Sequence, residues 1–462
     1  MKPAFIKLFF IIKCKIETKL MYQNIRYAMK KFFLIIALMV VSVFQAQCPS
    51  YGWASENGGV TGGGNATPTV VTTHAQLRAA ITNANVKVIH VSGAITFPAA
   101  GRLTLNNQNG KSILGLAGAR FISTDLTSGG SGILTMRNSS NILIKDITFE
   151  GPGAYDVDGN DNLTIDACTR VWVDHCTFED GMDGNLDIKN ASDLISITWT
   201  KFQYLKPAIP GGSGGSADHR FSNLFGSSDS DTQDEGKLRI TMQYCWWGSG
   251  ARERMPRVRF GQVHLLNNYF RSANNNYCIY AGYKANLLIE SNYFENVRNP
   301  IRLETGRFTA AESVDNVFAN TTGTAVGSGT AFTPPYIINK IAAQDVKQTV
   351  MDGAGAVLLQ PMDCLYLSAG EVDSKMKSEP KFYPNPAKDD ISLNVFSLHN
   401  NNTVQISVTD LSGKREGIVY KGTLKKGNNT INGISIKNLS KGVKLFEIRT
   451  NENSYVQKVI LK

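Results

Sequence analysis

Six stretches of the chain repeat one pattern: NILIKDITFEG (141–151), TRVWVDHCTFED (169–180), DLISITWTKFQ (193–203), KLRITMQYCWWG (237–248), GQVHLLNNYFR (261–271) and NLLIESNYFEN (286–296). Each runs as an alternating apolar strand, a polar step and an aromatic. The aromatics Phe149, Phe178, Phe202, Trp247, Phe270 and Phe294 are spaced 29, 24, 45, 23 and 24 residues apart. A strand-bearing period in the twenties implies a solenoid, because one coil cannot bury its own inward face and must stack on the next. The step of 45 equals two ordinary steps, or one step with an insertion, and the Gly/Ser/Asp-rich stretch 206–236 suits an insertion. A leucine-rich repeat would need a leucine scaffold that is absent, and a β-sandwich would not keep this longer period. The pattern predicts a parallel β-helix, with Asn267, Asn268 and Asn292 in stacked turns where amides bond from coil to coil.

A solenoid needs an end cap. THAQLRAAITNAN (73–85) predicts a capping helix, with Thr73 and Gln76 as a capping-box pair and Leu77, Ala80, Ile81 and Ala84 on one face. KVIHVSGAI (87–95) reads as the first strand, after a glycine-rich lead-in (52–64).

The net charge of +10 is unevenly spread. Residues 1–46 carry eight Lys/Arg against one Glu, and residues 381–462 thirteen against six acids, so each end holds +7 and the body between them −4. A nucleic-acid partner is therefore not expected, since a basic footprint should lie on the binding domain. A monomer is expected. Met29-Lys30-Lys31 followed by the apolar run Phe32–Phe44 predicts a secretory signal peptide over 29–47 within a leader of 1–47, and hence a secreted, extracellular or cell-surface protein. Beyond Cys14 in the leader, six cysteines remain; an oxidising compartment would permit disulfides, but spacing fixes no pairing, and buried free thiols are the alternative.

The chemistry-bearing residues cluster. ARERMPRVRFGQVH (251–264) places Arg252, Arg254, Arg257 and Arg259 around one strand, with Arg271 shortly after. Arg257 and Arg259 are two apart and share a face, while Pro256 aims Arg254 differently. Such density on an otherwise acidic body points to an anionic ligand held by guanidinium forks; the alternative is solvated charge. Asp156, Asp158 and Asp161 precede one strand, and Asp183 and Asp187 flank another about one coil later. Converging carboxylates suit a hard cation, and oxygen ligands favour calcium; taken alone, they could equally be turn formers.

These strings together make a specific resemblance. VWVDHCTF (171–178), NLDIKNAS (185–192) and ERMPRVRFGQVHLLNNYF (253–270), with GWASENGGVTGG early and FTPPYI (332–337) late, resemble polysaccharide lyase family 1, the pectate and pectin lyases, over roughly residues 50–365. The resemblance implies a right-handed parallel β-helix over 48–370 that cleaves polygalacturonate by calcium-assisted β-elimination. It assigns Arg254 as catalytic base, Lys206, Arg259 and Arg257 to substrate, and Asp161, Asp183 and Asp187 to calcium. Gly159 stands where a fourth family acid is expected. The insert 207–220, with Asp218-His219-Arg220, lies outside the minimal pattern. Trp172 and His175 read as structural despite their diagnostic string. Other readings are a pectin lyase acting on methylated pectin without calcium, a non-catalytic polysaccharide-binding β-helix, and a β-helix hydrolase with paired catalytic acids.

A linker over 371–380 precedes a last segment of short alternating strands, which predicts a small β-sandwich. Tyr383-Pro384-Asn385-Pro386, Asp410-Leu411-Ser412-Gly413-Lys414, Asn438–Val443 and Lys458–Lys462 resemble the type IX secretion sorting domain over 381–462. This implies the type IX secretion machinery as a partner. A carbohydrate-binding module is the alternative, though the segment has no tryptophan for sugar stacking.

Overall fold

The computed structural model describes residues 50–356, 380–397, 402–410, 415–425, 427–450 and 454–462. The leader with its signal pattern, linker residues 371–379 and tail-turn residues 411–414 lie outside the described residues. The chain divides into two compact units, Met1–Ser368 and Ala369–Lys462.

The first unit is a parallel β-helix. Its strands join three parallel sheets of ten, eight and nine strands, with successive coils hydrogen-bonded as neighbours. Parallel crossovers of this kind are right-handed. The ten-stranded sheet runs from Thr69–Val71 to Ala310–Val314, the eight-stranded sheet from Leu103–Asn106 to Ile301–Leu303, and the nine-stranded sheet from Ala94–Thr96 to Val317–Ala319. Inside, Phe97, Phe121, Phe149, Phe178, Phe202, Trp247, Phe270 and Phe294 form one buried stack that the exposed Phe318 ends, with neighbouring rings 4.4–5.7 Å apart. Each ring buries its area and adds about 0.5–1.5 kcal/mol from ring contact. Isoleucine and valine fill the next column, where β-branched side chains suit a pleated wall.

The long aromatic step is a single coil with an insertion. Asp193–Thr198 pairs directly with Ile240–Gln243, and Lys201–Gln203 with Trp246–Trp247. The inserted stretch carries only the two-residue strand Leu224–Phe225, which keeps the eight-stranded sheet continuous.

The capping helix spans His74–Thr82, and the Thr73 side chain accepts from the Gln76 amide. The return arm differs from expectation: Gln76 Oε1 accepts from the amide of Thr72 at 2.9 Å. Leu77, Ala80 and Ile81 are buried, whereas Ala84 lies past the helix end and is exposed. A buried lysine closes the helix, because Lys111 Nζ donates to the carbonyls of Ala80, Ile81 and Asn83 at 2.9, 3.1 and 2.9 Å. The first strand is Thr69–Val71, upstream of the helix, and 87–95 splits into Val88–Val91 and Ala94–Thr96 in different sheets. Asn268, Asn292 and Asn316 form the amide ladder at 3.0 Å per step. Asn267 instead holds the covering segment, donating to Ile341 O and Ser291 O.

Trp172 is buried with its indole N–H on Thr198 Oγ1 at 2.8 Å, and His175 Nδ1 meets Asp174 Oδ2 at 2.8 Å. Cys168, Cys176, Cys245 and Cys278 are buried free thiols. No described helix is long and apolar enough to cross a membrane.

The second unit has two antiparallel sheets. One holds Lys381–Tyr383, Asp390–Ser397 and Gly427–Ser435; the other holds Arg415–Leu424, Asn402–Asp410, Gly442–Thr450 and Ser454–Leu461. Val404, Ile406, Val408, Phe446 and Ile448 alternate inward, the mark of sheets packed on one face.

Candidate active site

The eight-stranded sheet sets the site. Its outward column runs Thr104, Thr135, Thr164, Asp187, then past Leu224 to Arg257, Tyr280 and Arg302. Ile188 pairs with Phe225, so Leu224 falls beside Asp187, and its amide donates to Asp187 Oδ1 at 2.8 Å. Like positions fall over like, so residues far apart in sequence share one wall.

Asp161 enters from the turn before Leu163–Asp166. It is buried; its Oδ2 accepts from Thr164 Oγ1 at 2.8 Å, and its Oδ1 has no hydrogen-bond partner. A Cβ built on Gly184 would stand 2.7 Å from Asp161 Oδ1 and 3.2 Å from Asp187 Oδ1. The two carboxylates thus close on the bare backbone of Gly184 from both sides, and glycine keeps the space between them open. Burial, and then the charge of Asp183, pushes the Asp161 carboxyl up to about 6. Burial and the charge of Asp161 raise Asp187 well above the ordinary range. Crowded carboxylates shifted this way seek a cation.

Asp183 adds charge, but its Oδ1 lies 3.0 Å from His219 Nε2. His219 Nδ1 in turn lies 3.2 Å from Asp156 Oδ1, so a residue of the insert is wedged between two site acids. Among the described residues, no three His, Cys, Asp or Glu side chains close around a metal-sized point. Calcium takes six to eight oxygens at about 2.3–2.6 Å, with water and ligand oxygens completing the shell, so a facing pair with a third acid nearby is a fitting donor set. The room at Gly159 is taken: a Cβ there would lie 2.0 Å from Met182 Cε. Asp158 is exposed on the adjoining turn.

Arg254 sits at φ +58°, in a left-handed turn that takes it out of the strand alternation. Its guanidinium carbon lies 4.8 Å from the centre of the Phe221 ring. It makes no ion pair within 4 Å among the described residues, yet its charge acts on both Asp161 and Asp187. Arg257, on the strand Arg257–Val258, stacks 4.9 Å over Tyr280 and leaves Nε without a hydrogen bond. Burial and the charge of Arg259 push the Arg257 guanidinium below its ordinary value. Arg259 is held, with Nε donating to Asp229 Oδ1 at 2.7 Å and Nη1 to Gly226 O at 2.9 Å.

Lys206 is engaged elsewhere. Its ammonium donates to Gly151 O at 2.7 Å and Glu150 Oε1 at 3.1 Å, beside the nine-stranded sheet. Positive charges that act on Asp161 include Lys189, Arg254 and Arg102. The structure therefore gathers Asp161, Asp183, Asp187, Arg254, Arg257 and Arg259 on one wall and ties Lys206 to another network. Sequence reasoning singled out His219 only as part of the insert, and it missed Gly184 and Asp229. No local pattern marks them, because each acts across the insert or across coils.

The parallel β-helix fold is shared with proteins of known structure. The sequence profile described as Pectate lyase matches residues 29–358. The chain belongs to the pectate lyase family. The probable pectate lyase B of Aspergillus terreus is 30% identical over 332 residues, which is 67% of this chain and 90% of that protein. Pectate lyase B of Colletotrichum gloeosporioides is 31% identical, covering 65% and 84%. A solved pectate lyase bound to a hexasaccharide superposes with a TM-score of 0.55 at 22% identity, over 68% of this chain and 98% of that one, a likeness of fold. The profile described as Secretion system C-terminal sorting domain matches 381–462. This enzyme therefore carries a pectate lyase domain and a secretion sorting domain on one chain.

Proposed function

We propose that the protein is an exported pectate lyase that cleaves the α-1,4 linkages of polygalacturonate by calcium-assisted β-elimination, leaving 4,5-unsaturated ends. The carrying observation is the facing of carboxylates and ion-pair-free guanidiniums on one wall. Among the described residues, Arg254 and Arg257 have no carboxylate within 4 Å, while Asp161 keeps an orphaned buried oxygen. A partly buried cation without a partner favours an anionic ligand. A uronate chain supplies one carboxylate per sugar.

Asp161, Asp187 and Asp183 would hold the calcium. Calcium, when bound, neutralises the uronate carboxylate and so makes the neighbouring C5 proton easier to remove. Arg257 and Arg259 orient that carboxylate. Arg254 receives the C5 proton; the electron pair forms the C4–C5 double bond, and the C4–O bond to the leaving sugar breaks, with solvent protonating the departing oxygen. A guanidinium is ordinarily protonated below about pH 12, so a base of this kind calls for alkaline conditions and nearby positive charge. Lys206 supports the wall through Glu150 and binds substrate only if that pairing opens.

The sorting domain supports export by the type IX machinery and an extracellular or cell-surface location, with the enzyme acting as a monomer. The acids favour pectate over methylated pectin, which would leave them facing neutral esters. Ultraviolet absorbance of the unsaturated product, followed on polygalacturonate with and without chelator, tests the reading. Calcium-dependent product formation that vanishes in Arg254→Ala is expected. Chelator-insensitive product discards calcium, and hydrolysis without unsaturation discards the lyase.

A further inference from the structure

Arg259 is the most firmly held guanidinium on the wall, and its grip extends well beyond it. Asp229 lies in the turn after Leu224–Phe225. One carboxylate oxygen takes Arg259 Nε at 2.7 Å, and the other takes Arg307 Nη2 at 2.6 Å. Arg307 follows the strand Ile301–Leu303 and is itself held by Glu304 Oε1 at 2.5 Å. Asp229, Arg259 and Arg307 thus come from turns after three different strands of one sheet. The turn at Gly226 permits the close approach, since a Cβ there would meet Arg259 Cβ at 3.0 Å and Arg259 O at 3.1 Å, at a φ of +81°.

Two consequences follow from this geometry. Nε and Nη1 of Arg259 are both committed, which fixes the plane of its guanidinium and leaves the Nη2 edge free. Because Arg307 shares the Asp229 carboxylate, that carboxylate does not fully cancel the charge of Arg259. Arg259 is nearly buried, at 13% side-chain exposure, whereas Arg307 is 45% exposed, so the relay runs from surface to wall. A guanidinium that meets a carboxylate through Nη2 gains from being fixed in orientation before the ligand arrives.

We propose that Asp229 is a positioning residue for Arg259, holding its guanidinium from behind, with Arg307 as the outer anchor, so that its free edge meets a uronate carboxylate. The proposal rests on the substrate reading of Arg259 given above. It concerns a group that touches no substrate itself.

A double-mutant cycle on the full chain tests it. KM and kcat on polygalacturonate are measured in saturating calcium for wild type, Asp229→Asn, Arg259→Ala and the double variant, with the melting temperature of each. Asp229→Asn is expected to raise KM about tenfold with a smaller effect on kcat, as loss of one charge-assisted bond implies. In the Arg259→Ala background the same change is expected to add less than about twofold, since its target is gone. Arg307→Gln, at an exposed position, gives the same test without burdening the fold. Its expected KM rise is about threefold, and it too should disappear when Arg259 is alanine. Losses that multiply undiminished in the double variants overturn the proposal while leaving Arg259 as a substrate residue. An Arg259→Ala enzyme with unaltered KM and kcat overturns both the proposal and the substrate reading of Arg259.

Discussion

Asp187 and Arg257 occupy one outward column of the eight-stranded sheet, two rungs apart with Leu224 between them. At about 4.8 Å per rung their backbones are roughly 10 Å apart. An acid-rich position and a cation-rich position are thereby held at a fixed separation by ladder hydrogen bonds, and not by loops. A charged polymer can meet both at once.

The acid cluster should be a burden without its cation. A carboxyl raised to about 6, against an ordinary value near 3.8, is ionised at neutral pH at the expense of the fold, by roughly 3 kcal/mol for Asp161. Asp161→Asn is expected to melt several degrees above wild type in chelator at pH 8, and to lose the rise that calcium gives the wild type. A variant melting at or below wild type in chelator would contradict this.

The same shift sets a pH dependence of metal affinity. Because the folded value is raised, Asp161 takes up a proton as pH falls through about 6, and a neutral carboxyl is a poor calcium ligand. Calcium titration by calorimetry should show affinity dropping steadily from pH 7.5 to pH 5. Equal affinity across that span would contradict the assignment of Asp161.

Acid stability should depend on a different group. Burial alone would raise Asp174, but the charges and hydrogen bonds of His175 and Lys145 lower it to about 2. A depressed folded value contributes stability above the unfolded value near 3.8 that is lost as pH falls through about 2, here roughly 2 to 3 kcal/mol. Denaturation followed between pH 5 and pH 2 should show this loss, and Lys145→Met should shrink it and lower the melting temperature at pH 7.

Arg254 and Lys206 should separate cleanly by mutation. Arg254 has no ion pair to lose, so Arg254→Ala should cut kcat about a thousandfold or more while the melting temperature moves by only a few degrees. Lys206 donates to Glu150 and Gly151 O, so Lys206→Ala should lower the melting temperature and raise KM less than Arg259→Ala does. A larger KM effect at Lys206 would make it a direct substrate contact.

Much of the fold was legible because each coil contributes one inward aromatic, and buried rings tolerate few substitutes. The site was less so. Leu224–Phe225 and Arg257–Val258 are two-residue strands, too short for alternation to register. The grouping of Asp161 with Asp187 was suggested by their spacing of about one coil, but turn aspartates are common, and only the family resemblance singled these two out. The replacement of an acid by Gly159 was visible, but the filling of its space by Met182 was not. Lys206 shows another limit: its spacing suggested a substrate contact, and only the fold shows that Glu150, 56 residues earlier and two ladder steps away across Glu179, bonds its ammonium. In the second unit the strand Arg415–Leu424 shows no clear alternation in sequence, because charged and glycine residues interrupt its apolar pattern.

The aromatic stack running the length of the helix has an evolutionary corollary. Every coil presents the same inward ring to its neighbours, so each is an interchangeable segment. A duplication of one coil, such as 286–308, could be spliced in by matching ring to ring, lengthening the polymer-binding wall by a single increment while the chemistry several coils away kept its spacing.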